Sequence, residues 1–296
     1  MRYLLSICVL LMSIGIAYAQ EDTSDLTPYE IAQQRIAEAV ENDATVLSLF
    51  ELELTELPPE IGTATTVTTL YLYGNQLTTL PPEIGNLSNL TSLNLSDNQL
   101  TSLPPEIGSL TNVDFLSLQF NHLTTLPPEI GMLTNLEILY AEYNELSTLP
   151  PEFGALTNLS TFFVNNNQLS ALPSEIGLLD SLAILYAGNN DLDVLPATIG
   201  ALDSLTTLSV FNNHLTALPT ELGKLPRLRT LEIQGNDLTT VPTLIGEFAT
   251  LRNLTMDNEL WAQIPDDVQT QEIDAVVTYI RHQTLCVERQ ILACDN

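Results

Sequence analysis

An asparagine recurs at a fixed interval through most of this 296-residue chain. Each is separated from the next by 23 residues: Asn75, Asn98, Asn121, Asn144, Asn167, Asn190, Asn213 and Asn236. Leucines, a proline, an isoleucine or leucine and a glycine keep their places around it, so that the unit is LxLxxNxLxxLPxxIGxLxxL. A period of this length predicts stacked supersecondary units, because one such unit cannot bury its apolar face alone.

Two less regular units flank these eight, with Leu52 and Glu259 at the asparagine position, which gives about ten units in residues 44–268. The pattern resembles the leucine-rich repeat, in the 23-residue LPxxIGxL subtype of bacterial secreted proteins. Similar repeats occur in Ras-suppressor-like and plant Ras-group proteins. The resemblance implies an α/β fold: a leucine-rich-repeat solenoid, built as a curved right-handed horseshoe with a parallel β-sheet on the concave face. It carries over no residue-level binding motif.

Each part of the unit has a predicted structural role. Alternation at Leu93 and Leu95 predicts a strand. The asparagine amide both donates and accepts, so we predict that the eight asparagines form a structural ladder that satisfies buried backbone groups. The recurring PPEIG segment predicts a short helical turn that begins at proline, with glutamate near its N-terminus. We expect its glycine, for example Gly108, to have a positive φ.

The first residues have the pattern of an export signal. Arg2 precedes an apolar run, and residues 17–19 read Ala-Tyr-Ala, a small-x-small cleavage site. We therefore predict a signal peptide over residues 1–19 and a secreted protein, extracellular or periplasmic, with no membrane insertion after cleavage. An uncleaved anchor is the alternative.

Open stacks need caps at both ends. Residues 20–43 predict a leader and a capping helix, with Thr27 and Glu30 as a capping box, Pro28 at the first helical position and an apolar stripe of Ile31, Ile36, Ala39 and Val40. Residues 269–296 predict a C-terminal helical cap, with Asp266 and Asp267 at its start and a stripe of Ile273, Val276, Val277 and Ile280. Cys286 and Cys294 are candidates for a disulfide, which requires a break in the helix between them; free thiols or pairing with another chain are the alternatives.

The charge is strongly one-sided, with 8 Lys+Arg against 37 Asp+Glu and a formal net charge of −29. Such a chain cannot neutralise phosphates, so nucleic-acid binding is excluded. Residues 36–223 contain no lysine or arginine. This field would steer a cationic partner. The alternative is a solvated acidic shell with no partner.

Aromatic residues concentrate at strand positions that point away from the predicted core. An exposed apolar patch rich in aromatics is typical of a recognition surface. We therefore predict a concave-face binding site for a protein or peptide, with a glycan ligand as an alternative. Its residues are Tyr71, Tyr73, Phe115, Phe120, Tyr140, Glu142, Tyr143, Phe163, Asn165, Tyr186 and Phe211. The competing interpretation is that aromatics simply suit strands and support one another across the sheet.

Catalytic and metal-binding patterns are absent from the sequence. The three histidines have no metal-ligand spacing, and no phosphate-binding loop or nucleophile motif occurs. We predict a non-enzyme with no cofactor and no metal. Two further alternatives are a structural, self-assembling cell-surface protein and a glycan-processing enzyme that pairs Glu142 with Asp97 or Glu232.

Overall fold

The computed structural model describes residues 26–288. Ten parallel strands of three residues follow one another in sequence order in a single sheet. Each strand begins 23 residues after the previous one: β1 Val46–Ser48, β2 Thr69–Tyr71, β3 Ser92–Asn94, β4 Phe115–Ser117, β5 Ile138–Tyr140, β6 Thr161–Phe163, β7 Ile184–Tyr186, β8 Thr207–Ser209, β9 Thr230–Glu232 and β10 Asn253–Thr255. This is the predicted leucine-rich-repeat solenoid.

The register keeps equivalent residues in contact from one repeat to the next. Leu70 pairs with Leu93, and Leu93 pairs with Leu116, because each repeat has the same length. The middle residue of each strand points into one continuous apolar core, in which Phe162 takes the leucine position of β6. The residues on either side of it point to the concave face, so the 23-residue period fixes which side chains are neighbours there.

The recurring asparagines form a hydrogen-bonded ladder inside the turns that follow the strands. The Oδ1 of Asn98 accepts from the backbone N–H of Leu77 at 3.1 Å, and its Nδ2 donates to the carbonyls of Leu72 at 2.9 Å and Leu95 at 3.1 Å. The other seven asparagines make equivalent bonds. In the first repeat Leu52 stands at this position, and its own N–H bonds to Asn75 at 3.0 Å.

On the convex side the strands are connected by short 3₁₀ helices, each preceded by proline. They span Pro59–Thr63, Pro82–Asn86, Pro105–Ser109, Pro128–Met132, Pro151–Ala155, Ser174–Leu178, Ala197–Ala201, Thr220–Lys224 and Thr243–Glu247. The expected positive φ of their glycines is wrong, since only Gly74 and Gly235 among the described glycines have one. Close packing explains the convex glycines instead: a Cβ on Gly108 would lie 2.7 Å from the carbonyl oxygen of Glu129 in the next repeat.

Helix α1, Pro28–Glu41, covers the first repeat and begins at Thr27, whose side chain and that of Glu30 form the capping box. Its buried residues are Ala32, Ile36 and Ala39, whereas Val40 of the predicted stripe is exposed, so the stripe is rotated from the expected one. The predicted signal peptide, residues 1–19, lies outside the described residues. The same holds for residues 20–25 of the predicted leader and capping helix at 20–43.

Three helices close the other end: α2 Asn258–Trp261, α3 Asp266–Gln269 and α4 Ile273–Glu288. The expectation that Asp266 and Asp267 cap the long helix is wrong, because they begin the separate helix α3. Val276, Val277 and Ile280 of α4 are buried against the last repeat, as the predicted stripe requires. The backbone of Cys286 lies in α4, and Cys294 lies outside the described residues, so the disulfide stays a prediction.

Candidate binding surface

Four aromatic rings form a continuous row across the middle strands of the concave face. Phe115 contacts Tyr140 edge-on at a centroid distance of 5.6 Å, Tyr140 stacks on Phe163 at 5.1 Å, and Phe163 contacts Tyr186 at 4.8 Å. We call these four residues the aromatic row. All four are partly exposed. The rings therefore support one another across the strands, and they also present apolar surface to solvent.

A second pair of rings lies at the end of the same face. Phe120 and Tyr143 stack at 4.5 Å with an interplanar angle of 12°. They are 46% and 48% exposed, so the stack does not remove them from solvent. We call them the stacked pair. Their exposure makes them the most accessible rings of the middle repeats.

The backbone of the stacked pair is in the left-handed region, with φ of 56° at both Phe120 and Tyr143. Bulky side chains rarely adopt this conformation, and it costs roughly 1–2 kcal/mol for each residue. The other described repeats place small or polar residues there: Glu51, Gly74, Asp97, Asn166, Asn189, Asn212 and Gly235. This strain was not predicted from the sequence, although the glycine, aspartate and asparagine at the same position of the other repeats were a signal for it.

The remaining predicted aromatics are not part of these two groups. Tyr73 stacks on Phe50 at 4.7 Å and contacts Tyr71 at 6.3 Å, which makes a separate cluster in the first two repeats. Repeat three, with Asn94 and Ser96 on its concave face, separates this cluster from the aromatic row. Phe211 packs over Gly188, where a Cβ would collide with the ring.

Polar residues lie among the rings. Asn165 is partly buried between neighbouring repeats. Burial raises the pKa of the Glu142 carboxyl to about 7, an effect opposed by a hydrogen bond with its own backbone. Glu232 is different, because its Oε2 accepts a hydrogen bond from the Ser209 hydroxyl at 2.6 Å. The concave face therefore holds Glu232, whose carboxylate has a side-chain donor, and Glu142, whose carboxyl is desolvated by burial.

Glu142 and Glu232 are poorly placed as a carboxylate pair for the glycan-processing alternative. Glu142 follows β5 and Glu232 ends β9, so four strand spacings, about 19 Å, separate their backbones. Paired glycosidase carboxyls lie about 5–9.5 Å apart. Asp97 is two spacings away from Glu142, about 10 Å. Among the described residues, no three His, Cys, Asp or Glu side chains are grouped so as to hold a metal ion.

The formal charge around this surface is negative, since residues 36–223 contain aspartate and glutamate but no lysine or arginine. His122 contacts Glu145 at 3.0 Å beside the stacked pair. Within the described part of the chain, every helix is too short or too polar to cross a bilayer.

Comparisons with known proteins agree with this architecture. Two family models match, described as leucine-rich repeat over residues 65–123 and as two copies of it over residues 203–246. A leucine-rich-repeat protein of Leptospira interrogans is 36% identical with a TM-score of 0.60, over 70% of this chain and 58% of that one. No curated protein matches the chain. The chain is a leucine-rich-repeat protein.

Two similar structures are plant receptors with a bound partner. The ectodomain of the Arabidopsis thaliana membrane receptor kinase GASSHO1/SCHENGEN3, in complex with Casparian strip integrity factor 2, is 32% identical with a TM-score of 0.63, over 71% of this chain and 26% of that one. The plant peptide hormone receptor RGFR1, in complex with RGF2, is 29% identical with a TM-score of 0.57, over 68% and 38%. The chain thus spans little more than half of the Leptospira protein and less of the two receptors.

Proposed function

We propose that this protein is a secreted, non-catalytic recognition module that binds a protein or peptide on its concave face. The aromatic row and the stacked pair are the contact surface, and the acidic field favours a cationic partner. The observation that carries the proposal is a set of partly exposed rings that is continuous across β4 to β7 on the concave face.

Ring contacts across the sheet do not by themselves require a ligand, since cross-strand aromatic pairs also stabilise sheets. The stacked pair separates the two explanations. Phe120 and Tyr143 lie beyond the ends of the strands, and their backbone conformation is unfavourable for aromatics. Strain that the fold does not require is typical of functional sites. The two plant receptors, both bound to a partner, support the same class of function.

The test is binding of peptides selected from a displayed random library on the chain without residues 1–19. Replacing Tyr140, Phe163 and Tyr186 together with serine removes three ring contacts of the aromatic row, so we expect affinity to fall at least about tenfold. The matched control replaces Met132 and Leu178 with serine. Both are more than half exposed, at 53% and 57%, and they lie in the convex turns, so binding should not change.

Circular dichroism and light scattering would accompany both variants, so that lost folding or self-association is distinguished from lost binding. Unchanged affinity in a folded triple variant would reject the concave face as the binding surface. Equal loss in both variants would indicate general apolar adhesion instead.

A further inference from the structure

One carboxylate oxygen on the concave face has no hydrogen-bond partner. Within residues 26–288, two buried side-chain atoms lack one: Oε2 of Glu142 and the hydroxyl oxygen of Ser117. The two residues belong to adjacent repeats: Ser117 is the last residue of β4, and Glu142 lies two residues after the end of β5. Buried polar groups are nearly always hydrogen-bonded, because an unpaired one costs about 1–3 kcal/mol. Two in neighbouring repeats require an explanation.

The register places this carboxylate between the two groups of rings. Glu142 is two residues after Tyr140, so strand alternation puts both side chains on the concave face, and it directly precedes Tyr143. Its carbonyl accepts from the N–H of Phe120 at 3.1 Å. The carboxyl therefore has the Tyr140–Phe163 stack on one side along the strand and the stacked pair on the other.

No cation of these repeats can neutralise Glu142. The side chains at its position in the adjacent repeats are the uncharged Gln119 and Asn165. On the concave positions of these three repeats, the other titratable groups are Tyr140 and Tyr143. Beyond the turn, His122 is engaged with Glu145. Glu142 is therefore a buried carboxylate without a counter-ion, and a cationic group of a binding partner could supply one.

We infer that Glu142 is the anchor for one lysine or arginine side chain of the bound peptide, held between the aromatic row and the stacked pair. The inference rests on the proposed function. A cation here donates a charge-assisted hydrogen bond to the carboxylate, and the apolar stem of its side chain packs against the neighbouring rings. The acidic field brings cationic peptides to the surface, and Glu142 fixes where one cation binds.

Binding of this cation is linked to pH. The carboxyl must be ionised to receive it, and burial raises the pKa of Glu142 from 4.5 to about 7. Below pH 7 the peptide must displace a proton, so affinity should rise as pH increases from 6 to 8 and level off above.

The experiment repeats the peptide selection on the wild type, Glu142→Gln and Glu232→Gln. Glu232 is the matched control, because it is also a concave-face carboxylate but already has the Ser209 hydroxyl as a partner. We expect the wild type and Glu232→Gln to enrich lysine or arginine at one position. Glu142→Gln should lose that enrichment, bind the selected peptide at least about tenfold more weakly, and lose the pH dependence between 6 and 8.

We expect Glu142→Gln to fold. The folded-state pKa lies above the unfolded value, so between about 4.5 and 7 the folded state binds more protons and the wild type loses stability as pH rises. Glutamine removes this penalty, so the variant should melt at least as high as the wild type at pH 8.

Each other outcome has a definite meaning. Peptides without a cation that still need Tyr140, Phe163 and Tyr186 would overturn the role of Glu142 and leave the proposed function intact. Equal loss of cation enrichment in both variants would assign the effect to the general field, which also overturns it. Retained pH dependence in Glu142→Gln would overturn the link between ionisation of Glu142 and binding of the cation. Peptides insensitive to every concave-face variant would reject the proposed function itself.

Discussion

The convex turns and the concave strands of this solenoid are built from the same repeat, but they vary differently. On the convex side nearly every turn has a proline, a short 3₁₀ helix and a glycine in the same places. On the concave side the register is equally regular, yet the side chains change from Asn94 and Ser96 in one repeat to Tyr140 and Glu142 two repeats later. The uniform side is explained by packing between repeats. Packing between repeats does not explain the choice of side chains on the variable side, which is why we propose that side as the binding surface.

We expect the largest loss of stability from substitutions in the asparagine ladder, which is part of the uniform framework of the repeats. Asn144→Ala leaves the Leu123 N–H and the Leu118 and Ala141 carbonyls without their side-chain partner. We expect a loss of about 3 kcal/mol in the free energy of unfolding, measured by urea denaturation. The matched control is Asn165→Ala on the concave face, which should lose less than about 0.5 kcal/mol. Similar losses in both variants would contradict the distinction between ladder and surface asparagines.

A smaller effect is expected in the convex turns. Gly108→Ala would place a Cβ 2.7 Å from the Glu129 carbonyl oxygen, so the next repeat must shift. We expect a loss of about 2 kcal/mol in the same measurement. Gly223 is the control, because its Cβ would meet only side-chain atoms, the nearest at 3.3 Å. If Gly223→Ala is equally destabilising, close approach is not the reason for the convex glycines.

Much of the fold could be predicted because the period itself specifies it. Equal spacing of Asn98 and Asn121 fixes the strand register, and the chemistry of an amide fixes its bonding in the turn. The role of Gly108 could not be predicted correctly, since its constraint comes from the next repeat and not from its own backbone. The start of α4 at Ile273 also differed, because Asp266 and Asp267 begin a helix of their own.

The sequence predicts which repeat positions face the concave side, but it does not predict which side chains on that face are in contact. Strand alternation identifies Tyr140, Phe163 and Tyr186 as facing the same side. It does not show that Tyr71 and Tyr73 belong to a separate cluster, which depends on what repeat three carries. Nor does it show the raised pKa of Glu142, because burial of that carboxyl depends on how neighbouring side chains pack around it.

The smallest expected loss of stability concerns the stacked pair. Replacing Phe120 and Tyr143 together with asparagine gives this column the residue found at Asn166 and Asn189. Relief of left-handed strain, roughly 1–2 kcal/mol for each residue, opposes loss of a ring stack that contributes about 0.5–1.5 kcal/mol. The free energy of unfolding should therefore not fall below that of the wild type by more than about 1 kcal/mol, while affinity for the selected peptides falls at least about tenfold.

The reverse substitution is the control for the strain argument. Asn189→Phe places an aromatic residue at a φ of 52° and removes the hydrogen bond that Asn212 donates to Asn189 at 2.8 Å. It should lower the free energy of unfolding by about 1–2 kcal/mol. If instead the asparagine pair at 120 and 143 destabilises the protein by several kcal/mol, the two rings are part of the fold, and the concave face is as structurally determined as the convex one. A stable variant that no longer binds would assign the rings to recognition. The two aromatics would then be strained residues that the fold does not need and binding does.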